Sequence, residues 1–436
     1  MNCAKTEWVT SRRDFLQRTG AGFGWLAFCA LQTQRCLANM GSSKEAQNPH
    51  HTPFAKHVIF LMMDGGPSHL DTFDYKPKIA RADFDPSPFE FRAFGKSGLR
   101  MANIFPNLSM HADDLCLLNG MYASSGEHTA ARLGLLTGSE MIRRPALGAW
   151  SFYGMGTENE DLPGFVTIGS SGGVGVRGFS SAYLPSRYQG IRMDSGLGIP
   201  FLGPLRSKDV QKSQVELIRD MSRRLEKEDP RNSEIDAVAR SFERAFAMQA
   251  SVPKIMDFSK VDKKTKESYG NTLFGRKCLL ASRLVQNGVR FVQLDLSGWD
   301  HHSDLPKVLL ERTKEMDAPV AALIGDLKNQ DLLKDTLIVW GGEFGRSPRM
   351  ASGGRDHNNE GFTMWMAGGG VKGGIRYGAT DDIGKKAVDG RVSMPDLHAT
   401  ILYALGLDAE KVYEPWLEND ASLRSSPGHA VKSIFR

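Results

Sequence analysis

The sequence predicts an α/β protein, a mostly parallel sheet with helices covering both faces. Three observations carry that reading. Several short runs are apolar throughout rather than alternating, as strands buried on both faces must be. In the second half of the chain these runs alternate with segments of helical spacing. Several runs also end on an acidic residue or a histidine, where an open sheet gathers ligands at the carboxyl rim of its strands.

The elements follow in order. Ser11-Arg12-Arg13-Asp14-Phe15-Leu16-Gln17 resembles a twin-arginine export signal, and the weakly apolar stretch Gly20 to Leu31 after it is too short to span a bilayer. Cys36-Leu-Ala38 offers a small-residue cleavage site. Residues 1–38 are therefore expected to be a removed signal that engages the twin-arginine export machinery. The mature protein is then periplasmic or secreted, without a stable membrane span. Polar residues 39–55 read as a linker, and residues 56–436 as one domain.

A first strand runs from His57 to Met63 and closes on Asp64. Asp113–Leu118 and Gly164–Ile168 read as the second and third. Ser170–Pro204 is rich in Gly and Ser and lacks a period, as an excursion over the surface or the site mouth would. Residues 210–250 carry dense charge with two apolar stripes: Val215, Ile218, Met221 and Leu225, then Ile235, Val238, Phe242 and Phe246. They read as exposed amphipathic helices broken at Asp229-Pro230. Helix Leu273–Val285 stops at Asn287-Gly288. Strand Arg290–Leu296, helix Pro306–Asn329, strand Thr336–Trp340, a loop Gly354–Glu360, strand Phe362–Met366 and a helix near Asp396–Leu405 complete the chain.

Composition excludes several classes. The formal net charge is +5, but residues 1–38 hold five basic and two acidic side chains, so the mature chain keeps only +2. That is too little for a nucleic-acid footprint, and no nucleic-acid partner is expected. Three of the five cysteines fall within the signal. Cys116 and Cys278 lie in apolar stretches and read as buried free thiols rather than a disulfide.

The rim residues point to chemistry. Asp64 follows the first strand, Asp300 and His302 follow Arg290–Leu296, and Glu343 follows Thr336–Trp340. His357 precedes Phe362–Met366. A lone Asp at a strand end is ordinarily a cap or turn residue. Carboxylates and imidazoles gathered on one rim from distant segments are what a divalent-metal hydrolase needs. Other residues have plainer readings. His69 and Asp71 either position substrate or form a helix-entry turn, and Asp295 supports His302 from behind. Arg346 binds an anion or makes a surface salt bridge. Trp299 stacks on a sugar or packs under the loop. His398 is structural, and Gly368-Gly-Gly-Val-Lys-Gly-Gly374 is a turn.

Three segments resemble the alkaline phosphatase and sulfatase superfamily. One is the opening strand into Asp64-Gly65-Gly66. Another is His128-Thr-Ala-Ala-Arg-Leu-Gly-Leu-Leu-Thr-Gly138, with Arg132 on the motif arginine. The third is Leu332-Leu-Lys-Asp-Thr-Leu-Ile-Val-Trp-Gly-Gly-Glu-Phe-Gly345. More closely, the chain resembles an exported bacterial family within it, numbered 1501 among the domains of unknown function. That resemblance rests on Met62-Met-Asp-Gly-Gly-Pro-Ser-His-Leu-Asp-Thr-Phe-Asp74, Gly298-Trp-Asp-His-His302, Gly342-Glu-Phe-Gly-Arg-Ser-Pro348, Gly368–Gly374 and Asp396-Leu-His-Ala-Thr400.

The resemblance implies an alkaline-phosphatase-like fold and a metal-dependent hydrolase of phosphate or sulfate esters. An anionic ester such as a sulfated or phosphorylated glycan would be the partner. It also implies one or two divalent ions (zinc, calcium or magnesium), with Asp64 and Glu343 on one and Asp300, His302 and His357 on the other. Glu343 stands where the superfamily usually has Asp, and Phe344 where it has a ligand His. Where a nucleophilic Ser, Thr or formylglycine is usual, this chain has His128, which argues against formylglycine chemistry. His128 is then a ligand, an acid/base group or a nucleophile. Alternatively Thr129 acts after a one-residue shift, or a metal-bound hydroxide attacks directly. The same departures also suit a catalytically degenerate protein that binds anionic glycans or phosphoesters, and a structural protein of the cell envelope is the third reading.

Overall fold

The computed structural model describes residues 49–77, 82–141, 143–170, 173–193, 207–228, 233–412 and 428–436. The expected signal at 1–38 and the break at Asp229-Pro230 lie outside them, as do the side chains of Leu225, Ile235 and Val238. In chain order the strands are β1 (His57–Asp64), β2 (Phe91–Phe94), β3 (Leu99–Ala102), β4 (Leu115–Met121), β5 (Phe165–Ile168), β6 (Ile191–Met193) and β7 (Phe291–Ser297). They continue with β8 (Thr336–Gly341), β9 (Gly345–Ala351), β10 (Gly354–Asn358), β11 (Phe362–Gly368), β12 (Ile375–Tyr377), β13 (Ala379–Thr380) and β14 (Ala387–Asp389). The helices are α1 (His128–Thr137), α2 (Leu147–Met155), α3 (Lys208–Glu228), α4 (Ser233–Met256), α5 (Lys263–Ser268), α6 (Leu273–Gln286), α7 (Leu305–Asn329) and α8 (Met394–Ala404).

Eight strands form one sheet in the order β12-β4-β11-β8-β1-β7-β5-β6. β1 lies at its centre, parallel to β7 on one side and β8 on the other, while β11 runs antiparallel between β8 and β4. The fold is thus α/β with a mostly parallel sheet. Side chains of β1 alternate between two cores. Ile59, Leu61 and Met63 face the core built with α6 and α7, through Leu280, Leu284, Leu309 and Met316. Val58, Phe60 and Met62 face the core built with α1, α2 and α8, through Leu136, Trp150 and Ile401. This period of two, with both faces apolar, is why the strand reads as a continuous hydrophobic run.

Local chemistry fixes the helix ends. The Glu127 carboxylate accepts from the backbone N–H groups of Thr129 and Ala130 and caps α1. Thr272 caps α6, which stops at Asn287 before Gly288 at φ +90°. Ser393 and Asp396 form a reciprocal capping box on α8.

Some expectations are corrected. The second strand starts at Leu115, because Leu108–Asp114 is a 3-10 helix. The expected loop Gly354–Glu360 is largely strand β10, paired with β9 in a hairpin, so His357 sits on a strand. The other short strands went unread; each is four residues or fewer and carries too little pattern. Of the residues read as linker, Phe54 and Ala55 hydrogen-bond the Ala404 carbonyl, which ties this end to α8. Cys116 and Cys278 are buried free thiols. Among the described residues no helix is long and apolar enough to cross a membrane.

Candidate metal centre

The carboxyl ends of β1, β7 and β8 and the N-terminus of α1 meet at one rim, and the β9–β10 hairpin closes it. β1 delivers Asp64, the loop after β7 delivers Asp300 and His302, the turn after β8 delivers Glu343, α1 delivers His128 and Arg132, and β10 delivers His357. Two glycines allow this approach. A Cβ on Gly65, at φ +121°, would lie 2.5 Å from the Asp300 backbone nitrogen, and one on Gly354 would lie 2.1 Å from the His302 carbonyl carbon. No side chain fits at either place.

The polar groups divide into two sets. In the first, the Glu343 carboxylate is fully buried and accepts the Gly65 N–H at 3.2 Å on each oxygen. His128 Nδ1 lies 2.7 Å from its Oε1, and Arg132 Nε lies 3.2 Å from Oε1 and 2.5 Å from Asp64 Oδ1. In the second set, Asp300 Oδ1 lies 2.9 Å from His302 Nε2 and 3.2 Å from His357 Nε2, and those two nitrogens are 3.0 Å apart. His128 joins the sets, with its Nε2 3.3 Å from Asp300 Oδ2.

The tautomers show what the second set can hold. His357 Nδ1 is 2.8 Å from the Gly126 carbonyl, which only accepts, so that nitrogen carries the proton and Nε2 presents a lone pair. His302 Nε2 lies 3.5 Å from Arg346 Nη1, which only donates, so that nitrogen also presents a lone pair. Two imidazole lone pairs and a carboxylate oxygen then converge on one point, a repulsive arrangement unless a cation joins them. Two nitrogens and one oxygen with open positions suit a divalent metal, and two overlapping groups sharing His357 have the spacing to hold one: His128, Asp300 and His357, and His302, Asp356 and His357. Orphaned polar atoms lie alongside: the buried Asp64 Oδ1, His128 Nε2 and Arg132 Nε lack aligned hydrogen-bond partners.

Charge follows from burial and contacts. Burial, reinforced by the neighbouring Glu343 carboxylate, pushes Asp64 up to about 6. The hydrogen bond to Glu343 raises His128, which favours the imidazolium. Burial works to raise Asp300, but the Arg346 guanidinium overrides it and holds that carboxyl well below the usual range. Arg346 is itself fully buried. It donates to Gly66 O at 2.8 Å, Arg355 O at 3.1 Å, Trp299 O at 3.3 Å, Gly65 O, and Asp300 Oδ1 at 2.6 Å. One side chain therefore ties three segments of the rim together.

Of the residues expected at the site, the structure brings together His128, Arg132, Asp64, Asp300, His302, Glu343 and His357. It does not bring in Thr129, which is exposed, with its backbone N–H bound to Glu127. Asp295 does not support His302; it takes Lys277 Nζ at 3.4 Å and the Ser170 hydroxyl at 3.1 Å. Arg346 is neither an anion site nor a surface pair. Asp71 is a buried partner of Arg355, at 2.8 Å, in a 3-10 turn. Phe344 packs its ring, tilted, against both His128 and His357 at 4.9 and 4.5 Å while those two imidazoles meet each other at 4.4 Å, and Trp299 packs beneath the loop against Trp340. His398 is buried and bound to the Leu135 carbonyl at 2.7 Å. The Gly126 carbonyl and Asp356 were missed: a backbone acceptor leaves no sequence signal, and Asp356 is one carboxylate in a polar stretch.

Residues 55–435 match the family described as Protein of unknown function (DUF1501), and the chain belongs to that family. No curated protein matches it. Among solved structures it is similar to the PsFucS1 sulfatase from Pseudoalteromonas sp., at 14% identity over 88% of this chain and 72% of that one, with TM-score 0.38. It is similar to the phosphonate monoester hydrolase of Silicibacter pomeroyi at 11% identity, over 87% and 76% of the two chains, with TM-score 0.40. For a TAB5 alkaline phosphatase variant with bound Mg the values are 11%, 82%, 99% and 0.36.

Proposed function

We propose that this protein is an exported, metal-dependent hydrolase of phosphate or sulfate esters. The observation that carries the reading is the convergence of Asp300 Oδ1, His302 Nε2 and His357 Nε2, all within 3.2 Å of one another. These three residues would hold a divalent cation. Bound there, the cation supplies Lewis-acid charge against the ester oxygens. The chain's own groups do the rest. Arg346 keeps Asp300 ionised and oriented. His128, braced through Nδ1 by Glu343, presents a protonated Nε2 toward the rim, placed to give its proton to a leaving oxygen. Arg132, held on Asp64 and Glu343, keeps a positive charge beside the position an anionic ester would take. The buried Phe344 ring, packed against both the His128 and His357 imidazoles, limits water access on that side.

The test is elemental analysis of chelator-treated and reconstituted protein, with the His302→Ala/His357→Ala double variant beside it. Near-stoichiometric metal in the wild type that vanishes in the variant supports the reading, and unchanged metal content rules out this centre. Hydrolysis of aryl phosphate and aryl sulfate esters, lost together with the metal, would then assign the activity. Export is tested by substituting Lys for both Arg12 and Arg13 and following the protein to the periplasm.

A second reading has its own support. His128 stands where a hydroxyl nucleophile would be expected from the resemblance, and Thr129 is exposed. A protein that binds anionic esters without turnover has the same geometry. Saturable binding of an ester without product, at full metal occupancy, would favour it.

A further inference from the structure

We infer that the centre takes one cation, on Asp300, His302 and His357. The Arg132 guanidinium fills the place between Asp64 and Glu343 that a second cation would need. The inference rests on the metal-dependent reading above and fixes its ion count.

Where donors and acceptors fall separates the two halves. Glu343 has no solvent exposure, and its oxygens already meet two contacts from the Gly65 N–H, the His128 ring at 2.7 Å and Arg132 Nε at 3.2 Å. The Gly65 N–H and the His128 ring take lone pairs there, and Arg132 opposes a cation by its charge rather than by an aligned hydrogen bond. Asp64 Oδ1 lies 2.5 Å from the same guanidinium. A cation inserted between these carboxylates would touch a fixed positive charge, and like-charge repulsion in a largely buried place is poorly screened. Arg132 has little freedom to withdraw. It sits one turn into α1, whose first N–H groups are pinned by Glu127, and its side chain is only 17% exposed.

The other half is the reverse. His302 Nε2 and His357 Nε2 face each other and Asp300 as lone-pair donors, the one because Arg346 Nη1 points at it and the other because its Nδ1 is held by the Gly126 carbonyl. The nearest positive group, Arg346, approaches from the buried side: it places Nη2 2.6 Å from Asp300 Oδ1 and Nη1 3.5 Å from His302 Nε2, and gives further N–H contacts to carbonyls of Gly65, Gly66, Trp299 and Arg355. Arg346 is fully buried while the Asp300 and His302 side chains are 44% and 48% exposed, so the solvent side of the three donors stays open to a cation. Asp64 and Glu343 are thus an arginine-neutralised pair, and the ligand set expected from the resemblance divides into one metal site and one salt bridge.

The experiment titrates Zn²⁺ into the chelator-stripped mature chain, with ion content counted by elemental analysis. The expected count is one per chain in the wild type and in Glu343→Gln, with at least a tenfold loss of affinity in His302→Ala. Arg132→Met should open the second place and raise the count to two, while Arg132→Lys, which keeps the charge, stays at one. Cu²⁺ loaded in place of Zn²⁺ should show coupling to two imidazole nitrogens by electron paramagnetic resonance. Two ions in the wild type would overturn the inference, as would one ion kept in His302→Ala and lost in Glu343→Gln. A count that stays at one in Arg132→Met would overturn the role given to the guanidinium. No ion in any form would instead sink the metal-dependent reading itself, and the inference with it.

Discussion

Replacing Arg346 with Met removes the one side chain that joins three rim segments, and the size of the effect can be worked from its contacts. Four carbonyls lose their donor, those of Gly65, Gly66, Trp299 and Arg355. A buried acceptor left unpaired costs about 1–3 kcal/mol, and a carbonyl with a second lone pair falls at about 1. Asp300, at 44% side-chain exposure, can turn to water, so losing that ion pair adds no more than about 1 kcal/mol. The sum is about 5 kcal/mol, a large share of the 5–15 kcal/mol typical of a domain. With an unfolding entropy of about 2.1 cal/mol/K per residue over roughly 380 residues, that lowers Tm by about 6 °C. Arg346→Lys keeps the charge but not the planar fork, and should recover about half the loss. Urea unfolding and thermal melts, with and without chelator, measure both variants. If Arg346→Met lies within about 1 kcal/mol of wild type, the carbonyls do not depend on Arg346 and its organising role is wrong.

Other perturbations follow from the same geometry. Gly65→Ala places a Cβ 2.5 Å from the Asp300 backbone at a positive φ, so it should abolish metal binding and destabilise by about 2–4 kcal/mol. Calorimetric titration with Zn²⁺ and denaturant melts read the two effects separately. Burial holds His398 down at about 4, below its unfolded value of 6.5, so the unfolded state binds the extra proton in this window. Stability from this residue is therefore complete above pH 6.5 and falls by about 3 kcal/mol as the pH drops to 4. Urea unfolding at pH 7 and pH 4.5 should show a smaller acid loss in His398→Gln. Burial pushes the Cys116 thiol up to about 12, and Cys278 is raised by the same cause. Neither should react with a thiol reagent until the protein unfolds, and fast native-state labelling would contradict their placement.

Much of the fold was legible because its central strands are short and apolar on both faces. β1, β7, β8 and β11 each declare themselves by a run of buried residues closed by Gly or Asp. The short edge strands and the β9–β10 hairpin did not, since polar residues such as Arg346, Ser347, Arg349 and Arg355 fill their sequence. The charge that makes the hairpin look like a loop is what anchors it: Arg346 and Arg355 are both fully buried, one on carbonyls and Asp300, the other on Asp71. Site residues were legible as strand ends. Their grouping was not, because whether an arginine or a metal neutralises Asp64 depends on where α1 starts, a matter of one helical turn.

The hairpin's means of attachment bears on when the site exists at all. β1 and β7 are held between two apolar cores, and their amides exchange with solvent only when the whole domain opens. The hairpin is fastened by two guanidinium groups and by hydrogen bonds to neighbouring loops, such as Arg355 N–H to His301 O and Asp85 N–H to Pro348 O, rather than between two apolar cores, so it can lift away while the sheet stays intact. Its backbone amides, followed by deuterium uptake, would therefore act as a clock for assembly of the site. In metal-free protein they should exchange well ahead of those in β1 and β7, and bound cation should slow the hairpin while leaving the central strands at their own pace.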